Sequence, residues 1–268
     1  MKYNGVPDSG SSNVICVPCR QIFFARTNCR CTSPRRAGLT CCVERFASVA
    51  SSSCPNLVTP EALVCRGLEA QKSGNNASAA QAFEEAAKTS PDTDPKTPRM
   101  WAAAGNLWIA ASQPARAAVD LDKALSLPGL VAAQRGEALL DRARAAEAQD
   151  DLATARAKLT EAGKTISNDP FYWYFSAALA IREGDHGTAQ AAIGRALALA
   201  PNDPAVLFEA GHVADFNGDD DAARAYWMRA AGSDPGGPVG KAAAKAAEML
   251  GVTPTVKDEP PPKKQPRS

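Results

Sequence analysis

The sequence predicts an all-α protein: a right-handed α-solenoid of about five helix-turn-helix repeats followed by a C-terminal capping helix. One observation is a recurring segment with Ala at its first and eighth positions and a large apolar residue at its fifth. Successive copies start 38, 38, 34 and 34 residues apart. Such a period is typical of units that bury their apolar faces only by stacking on their neighbours. The copies are Ala79-Phe83-Ala86, Ala117-Leu121-Ala124, Ala155-Leu159-Ala162, Ala189-Ile193-Ala196 and Ala223-Trp227-Ala230.

A second observation places another helix before each of these segments. A large apolar residue stands sixteen positions before the first Ala, and a small residue follows it by four positions. The small residue lets two helices approach closely, and the large one fills the space beside it. The spacing therefore predicts a first helix packed on the second helix of its unit. The pairs are Leu63 and Gly67, Trp101 and Gly105, Leu139 and Ala143, Trp173 and Ala177, and Leu207 and Gly211.

Turn residues recur in phase with both helices. Each unit has a polar turn in its middle that contains residues able to take positive φ or to cap a helix. Three units end with Pro five residues after the last Ala, where a proline stops the helix. The second unit ends at Pro128, and the third has Pro170 instead. The turns are residues 73–76, 112–114, 149–151, 183–185 and 217–219, and the three prolines are Pro91, Pro201 and Pro235.

This combination of positions resembles the tetratricopeptide repeat family over about residues 60–235. The family pattern is Trp or Leu, then Gly or Ala, then Ala-x-x-x-Phe/Leu-x-x-Ala, then Pro, at a period near 34 residues. The fifth unit, from Leu207 to Pro235, fits it from end to end, and the third, with Arg142 and no proline at the usual place, fits it least well. The resemblance implies a solenoid over residues 58–252, capped by the amphipathic stretch 239–250.

The two ends of the chain differ from the repeats. Residues 1–57 are rich in Cys, Ser and Arg, show no helical or strand period, and include seven of the eight cysteines. We interpret this stretch as a low-order segment, or as the product of a misassigned start. Two alternatives stay open: a zinc module begun by Cys16 and Cys19, and a disulfide framework, which requires an oxidising compartment. The Pro/Lys-rich tail, residues 253–268, is expected to be disordered.

Charge and hydropathy limit the function classes. Residues 1–58 contain seven basic and two acidic side chains, a net charge of +5, which leaves 23 basic and 27 acidic residues in the remainder. This mildly acidic body has no basic stripe for a phosphate backbone, so nucleic-acid binding is not expected. No apolar run reaches the ~20 residues of a membrane span, and no export signal is visible. As written, the chain is expected to be cytoplasmic; a different native start with a signal peptide would export it.

The family resemblance also implies where a partner would bind. Ligand contacts in this family fall on the first helices, one, five and eight residues after the large apolar site, on the concave face. Within the aromatic run 171–175, Trp173 is expected in the core and Tyr174 in the groove, whereas Phe171 and Phe175 could belong to either. The family's carboxylate clamp is not intact, because Asn106 is present but the matching Lys positions hold Val64 and Ala102. The candidate groove residues are Asn106, Arg144, Phe171, Tyr174, Phe208 and His212.

No motif for catalysis accompanies the repeats. The chain lacks a phosphate-binding glycine loop and a nucleophile elbow, and its two histidines do not stand at metal-ligand spacing. We therefore expect a non-enzymatic scaffold or adaptor without cofactor or metal, which binds a peptide or protein with apolar anchors. The alternatives are a metal-binding or redox-linked adaptor that uses the N-terminal cysteines, and an exported, envelope-associated accessory protein. The sequence does not determine the oligomeric state.

Overall fold

The computed structural model describes residues 54–250, and within that range the chain forms eleven α-helices and no strand. The zinc hypothesis for Cys16 and Cys19 and the disorder expected for 253–268 concern residues outside this range. The helices are α1 (Pro60–Lys72), α2 (Asn76–Thr89), α3 (Thr97–Ala110), α4 (Pro114–Ser126), α5 (Ala132–Glu147), α6 (Leu152–Ile166), α7 (Pro170–Glu183), α8 (His186–Leu199), α9 (Pro204–Phe216), α10 (Asp220–Ser233) and α11 (Pro238–Met249).

Consecutive helices pair into five antiparallel hairpins, and α11 covers the open side of the last one. Each hairpin is one of the predicted units, with the Ala-x-x-x-apolar-x-x-Ala segment on its second helix. Five units and a terminal helix confirm the predicted solenoid architecture. The core is correspondingly divided into four apolar clusters that follow one another along the stack.

The turn inside each unit depends on one residue in the left-handed region. Gly74, Gly184 and Gly218 take φ values of +76°, +74° and +78° in units 1, 4 and 5. Units 2 and 3 place Ser112 and Asp150 there, at φ 57° and 63°. Glycine adopts this conformation without the steric penalty that other L-residues meet. All five turns therefore have the same backbone geometry, although two of them do not use the residue that favours it.

Short acidic or amide side chains start most of the helices. Asp151, Asp185 and Asp219 each accept a hydrogen bond from the backbone N–H three residues on, at distances of 2.9 to 3.0 Å. Such caps satisfy donors that the first helical turn leaves unpaired. Asp203 accepts from the N–H groups of both Ala205 and Val206. The acids that crowd the turns are thus explained by capping.

Small and large residues interlock within the units as their spacing predicts. A Cβ added to Gly105 would lie 2.5 Å from Leu121 Cγ, and one added to Gly67 would lie 2.9 Å from the Phe83 ring. At Gly211 an added Cβ would overlap the Trp227 indole. The alanines that frame the second helices, such as Ala79 and Ala223, are completely buried. Close helix packing at these glycines therefore depends on the missing side chain.

The first helices form the more closely spaced layer of the stack. Helix α3 packs directly on α5, and α7 packs directly on α9, across unit boundaries. Second helices pack mainly on the helices that precede and follow them in the chain. The inner layer of a curved stack is the more closely spaced one, and at the α3–α5 and α7–α9 contacts that layer is made of first helices.

The segment before α1 is tied to that helix by a disulfide between Cys54 and Cys65, whose Cα atoms are 5.7 Å apart. Arg66 also donates a hydrogen bond of 2.9 Å to the carbonyl of Pro55. Within residues 54–250, the only group at metal-ligand spacing is Cys54, Cys65 and Glu69. Because the disulfide uses both sulfurs, that group offers no thiolate pair for a metal.

Candidate functional site

Most of the first-helix positions predicted to line the groove are half-buried in the structure. Counting from the large apolar site of each first helix selects fifteen positions, which together define the inner groove. Ala102 and Leu140 are buried in the unit contacts and Asp215 is exposed. The other twelve are half-buried: Val64, Leu68, Gln71, Asn106, Ile109, Arg144, Glu147, Tyr174, Ala178, Ile181, Phe208 and His212.

A buried carboxylate joins two of the predicted groove residues. Asp141 on α5 is 7% exposed and accepts a hydrogen bond of 2.8 Å from Asn106 Nδ2 on α3. Its second oxygen accepts a bond of 2.8 Å from Arg144 Nη1, one turn further along α5. Burial raises the pKa of Asp141, and the Arg144 charge and these two bonds oppose that rise. Asn106 and Arg144 thus bind an acid of the protein itself, and each already uses one of its hydrogen-bond donors for this.

The same chain of contacts continues into α7. The Arg144 guanidinium carbon lies 5.5 Å from the centre of the Phe171 ring, a distance at which a cation and a ring face attract each other. Phe171 in turn stacks on Tyr174, with ring centres 5.2 Å apart and planes 21° apart. The structure therefore brings Asn106, Arg144, Phe171 and Tyr174 together across three neighbouring first helices.

The remaining two predicted residues form a separate aromatic contact on α9. Phe208 and His212 meet edge to face, with ring centres 4.5 Å apart. His212 also contacts the buried indole of Trp227, whose Nε1 donates a hydrogen bond of 3.0 Å to the Phe208 carbonyl. Burial lowers the pKa of His212, and the charge of Asp215 only partly opposes this. His212 is therefore neutral at neutral pH.

A further acid, Glu209, lies between these two groups of residues and is not among the predicted site residues. Its side chain is 7% exposed, and burial raises its pKa to about 7. Its charge acts on Tyr174 across the α7–α9 contact. Burial, followed by the charge of Glu209, raises the pKa of the Tyr174 hydroxyl. One sequence feature could have identified Glu209: only units 3 and 5 have an acidic residue two positions after the large apolar site.

The aromatic run on α7 departs from expectation at one position. Trp173, expected in the core, is only half-buried, and its Nε1 donates to the Ser167 carbonyl at 2.7 Å. The buried aromatic residue of this helix is Phe175, at 7% exposure. Tyr174, predicted to line the groove, is half-buried. Helix α7 packs against three helices, α6, α8 and α9. Trp173 and Phe175, two positions apart, can therefore each contact a neighbouring helix.

Two other features bear on function. A shallow cleft of about 480 Å³ lies between α1 and α2, with Arg66, Glu69 and Glu85 among its lining residues, and it is separate from the inner groove of units 4 and 5. Within the described part of the chain, no helix is long and apolar enough to cross a membrane.

Comparison with known proteins places the fold. No protein-family model matches the chain, and no curated protein matches it in sequence. Among solved structures it is similar to PilW, described as a widely conserved type IV pilus biogenesis factor, with 19% identity over 69% of this chain and 82% of that one, and a TM-score of 0.57.

Two further structures show the same likeness. TTC0263, a thermophilic TPR protein in Thermus thermophilus, is 17% identical over 70% of this chain and 98% of that one, with a TM-score of 0.55. MamA is 18% identical over 66% of this chain and 92% of that one, with a TM-score of 0.51. The protein therefore has the fold of the tetratricopeptide repeat proteins.

Proposed function

We propose that this tetratricopeptide-repeat solenoid is a non-enzymatic scaffold that binds a peptide or protein partner in its inner groove, chiefly at units 4 and 5. The observation that carries the proposal is the cluster of half-buried aromatic side chains there. Tyr174, Phe171, Phe208 and His212 are half-buried and keep part of their ring surface exposed, although the core beside them is closed by alanines and leucines. Rigid aromatic side chains supply much of the binding energy at protein interfaces, because they bury a large area at a small entropic cost.

The arrangement favours an extended or helical peptide with apolar anchors. Tyr174 and Phe208 occupy the same position in consecutive units, one residue after the large apolar site. Two anchors of one partner could therefore contact two successive first helices. A carboxylate clamp is not expected, because Asn106, the one clamp residue present, is already bonded to Asp141.

The test is partner capture by the full chain and by the double variant Tyr174→Ala and Phe208→Ala. Met228→Ala is the matched control, because Met228 lies on the second helix of unit 5 and is 63% exposed. We expect the double variant to lose capture of the partner that the wild-type chain enriches from its native host, with an unchanged far-UV spectrum, and Met228→Ala to keep it. Equal capture by all three proteins would contradict a groove at units 4 and 5.

The disulfide favours the exported alternative for the compartment in which this scaffold works. Structural disulfides persist in oxidising compartments and are rare in the cytosol. Because Cys54 and Cys65 are bonded to each other, we infer that the protein functions outside the reducing cytosol. The alternative of an N-terminal metal or redox adaptor gains nothing from this pair, since neither sulfur is free.

A further inference from the structure

Two buried acids lie next to inner-groove positions, at equivalent places in the repeat. Asp141 follows Leu139 by two residues on α5, and Glu209 follows Leu207 by two residues on α9. Each is 7% exposed. Each acid lies on a first helix that packs on the preceding unit. The surroundings of the two acids can therefore be compared position by position.

Asp141 obtains its partners from two defined repeat positions. Asn106 stands five residues after the large apolar site of unit 2, and Arg144 stands five residues after that of unit 3. One donates to each carboxylate oxygen, both at 2.8 Å. Both carboxylate oxygens of Asp141 therefore have a donor: one is an amide from the preceding unit, and the other is a cation on the same helix.

Glu209 lacks both of these partners. The equivalent positions hold Ala178 in unit 4, which has no donor, and His212 in unit 5, which burial keeps neutral at neutral pH. Among residues 54–250 there is no hydrogen bond or ion pair to the Glu209 side chain. A carboxylate that is 7% exposed and has no donor from the protein costs free energy, because most of its surroundings are no longer water and no hydrogen bond replaces it.

The charges around Tyr174, one of which is Glu209, favour a positive charge at that place. The charges of Glu209, Asp203 and Glu147 all act on the Tyr174 hydroxyl in the same direction. The one cation that opposes them there, Arg144, is already paired with Asp141. Aromatic ring faces also attract cations, and Tyr174 and Phe171 present a stacked pair at this place.

We propose that Glu209, together with Tyr174, receives a cationic side chain of the partner, a lysine or arginine inserted from the inner groove. The proposal rests on the function proposed above and specifies its partner: a peptide with one fixed basic residue among apolar anchors. The ligand's cation supplies Glu209 with the positive charge that Arg144 supplies to Asp141 and that the equivalent residue, His212, does not. A cation at this place gives Glu209 an ion pair like the one that Asp141 already has with Arg144.

A phage-displayed library of random peptides, selected on the immobilised full chain, tests this assignment. We expect the selected peptides to share a basic residue at one fixed position. Their synthetic versions should bind Glu209→Gln at least about tenfold more weakly than the wild-type chain, since removing one partner of a buried charge pair is costly. Asp221→Asn, the matched control, removes an exposed acid on the second helix of the same unit, away from the inner groove, and should change affinity by less than about twofold.

A second variant keeps the test independent of how well Glu209→Gln folds. Ala178→Asn with His212→Arg copies the Asn106–Asp141–Arg144 arrangement into units 4 and 5. We expect this double variant to be at least as stable as the wild-type chain and to bind the selected peptides at least about tenfold more weakly, because an internal cation now competes for Glu209.

The two proposals fail in different ways. Peptides that need Tyr174 and Phe208 but have no fixed basic residue would overturn the role of Glu209 and leave the groove function standing. A selection that enriches no peptide, or only peptides indifferent to Tyr174→Ala and Phe208→Ala, would contradict the groove function and this assignment with it.

Discussion

Asn106 on α3 donates a hydrogen bond of 2.8 Å to the buried carboxylate of Asp141 on α5. The two residues are 35 positions apart in the chain, and they belong to different units. Most contacts between units are apolar and tolerate small shifts, whereas a buried hydrogen bond accepts few geometries. This bond therefore helps to fix how unit 2 sits on unit 3.

We predict that Asn106→Ala lowers the free energy of unfolding by about 1 to 3 kcal/mol, because it leaves a buried acceptor without one of its donors. Chemical denaturation monitored by circular dichroism measures the change. Asn76→Ala is the control: its amide is exposed and its bond to the Ala110 carbonyl is 3.5 Å long. We expect that control to change stability by less than about 0.5 kcal/mol. Equal effects of the two variants would show that the Asp141 link contributes nothing.

The glycines of the repeat yield a second prediction, with opposite signs at two sites. Gly211→Ala should destabilise the protein by about 1 to 3 kcal/mol, because its Cβ would overlap the Trp227 ring inside unit 5. Gly194→Ala should stabilise it by about 0.5 to 1 kcal/mol, because Gly194 is a helical position on α8 with nothing within 4 Å of the new Cβ. Thermal unfolding of both variants checks the signs; a stabilising Gly211→Ala would refute the close helix approach.

The close contact at Gly211 also indicates how far the sequence determines the fold. Spacing alone assigns Gly211 and Trp227 to facing helices, because the same positions hold a small and a large residue in each of the five units. Periodicity predicts the helices and the turns between them, which the structure confirms, and the groove positions such as Tyr174 stay a prediction. Periodicity does not report how closely neighbouring units approach. The burial of Glu209 depends on the α7–α9 contact, and the packing around α7 buries Phe175 more fully than Trp173, which is half-buried against the third apolar cluster.

The Cys54–Cys65 pairing could not be predicted from the sequence, for a different reason. Eight cysteines allow many pairings, and spacing does not choose among them. What joins Cys54 to Cys65 is the turn ahead of α1, which brings two Cα atoms eleven residues apart to within 5.7 Å. That turn has no repeat counterpart from which it could be inferred.

We predict that the tryptic peptide spanning residues 46–66, which contains Cys54 and Cys65 and no other cysteine, carries an internal disulfide in protein from the native host. Mass spectrometry after alkylation under non-reducing conditions would find it unalkylated and lighter by two hydrogen atoms than the reduced peptide. Replacing both cysteines with serine should cost about 2 to 3 kcal/mol of stability, as expected for a short closed loop. A peptide alkylated at both sites would contradict the disulfide and the oxidising compartment.

Glu209 predicts a distinctive pH dependence of stability. Burial raises its pKa from 4.5 to about 7. A group with a raised pKa in the folded state stabilises the fold fully below its unfolded pKa, and this contribution is lost as the pH rises through the folded pKa. From about pH 5 to about pH 8 the wild-type chain should thus lose about 1 to 3 kcal/mol relative to Glu209→Gln.

Differential measurement separates Glu209 from its neighbours. Burial also raises the pKa of Asp120 to about 7, and His212 on the same helix as Glu209 has a lowered pKa, but both are present in the two proteins and their effects largely cancel. Tyr174 on α7, with a raised pKa, stays protonated throughout this range. Urea denaturation of both proteins at the two pH values provides the comparison. A stability difference that is the same at both would show that Glu209 is not buried in the ionised form.

The most direct test of the groove is photo-crosslinking in the native host, with a benzophenone amino acid placed in the full chain at either of two positions of unit 5. Phe208 lies on the inner first helix, and Met228 lies exposed on the second helix. The proposed scaffold predicts a discrete adduct with one partner from position 208, which Tyr174→Ala diminishes, and no such adduct from position 228. An adduct from position 228 alone would contradict binding in the inner groove.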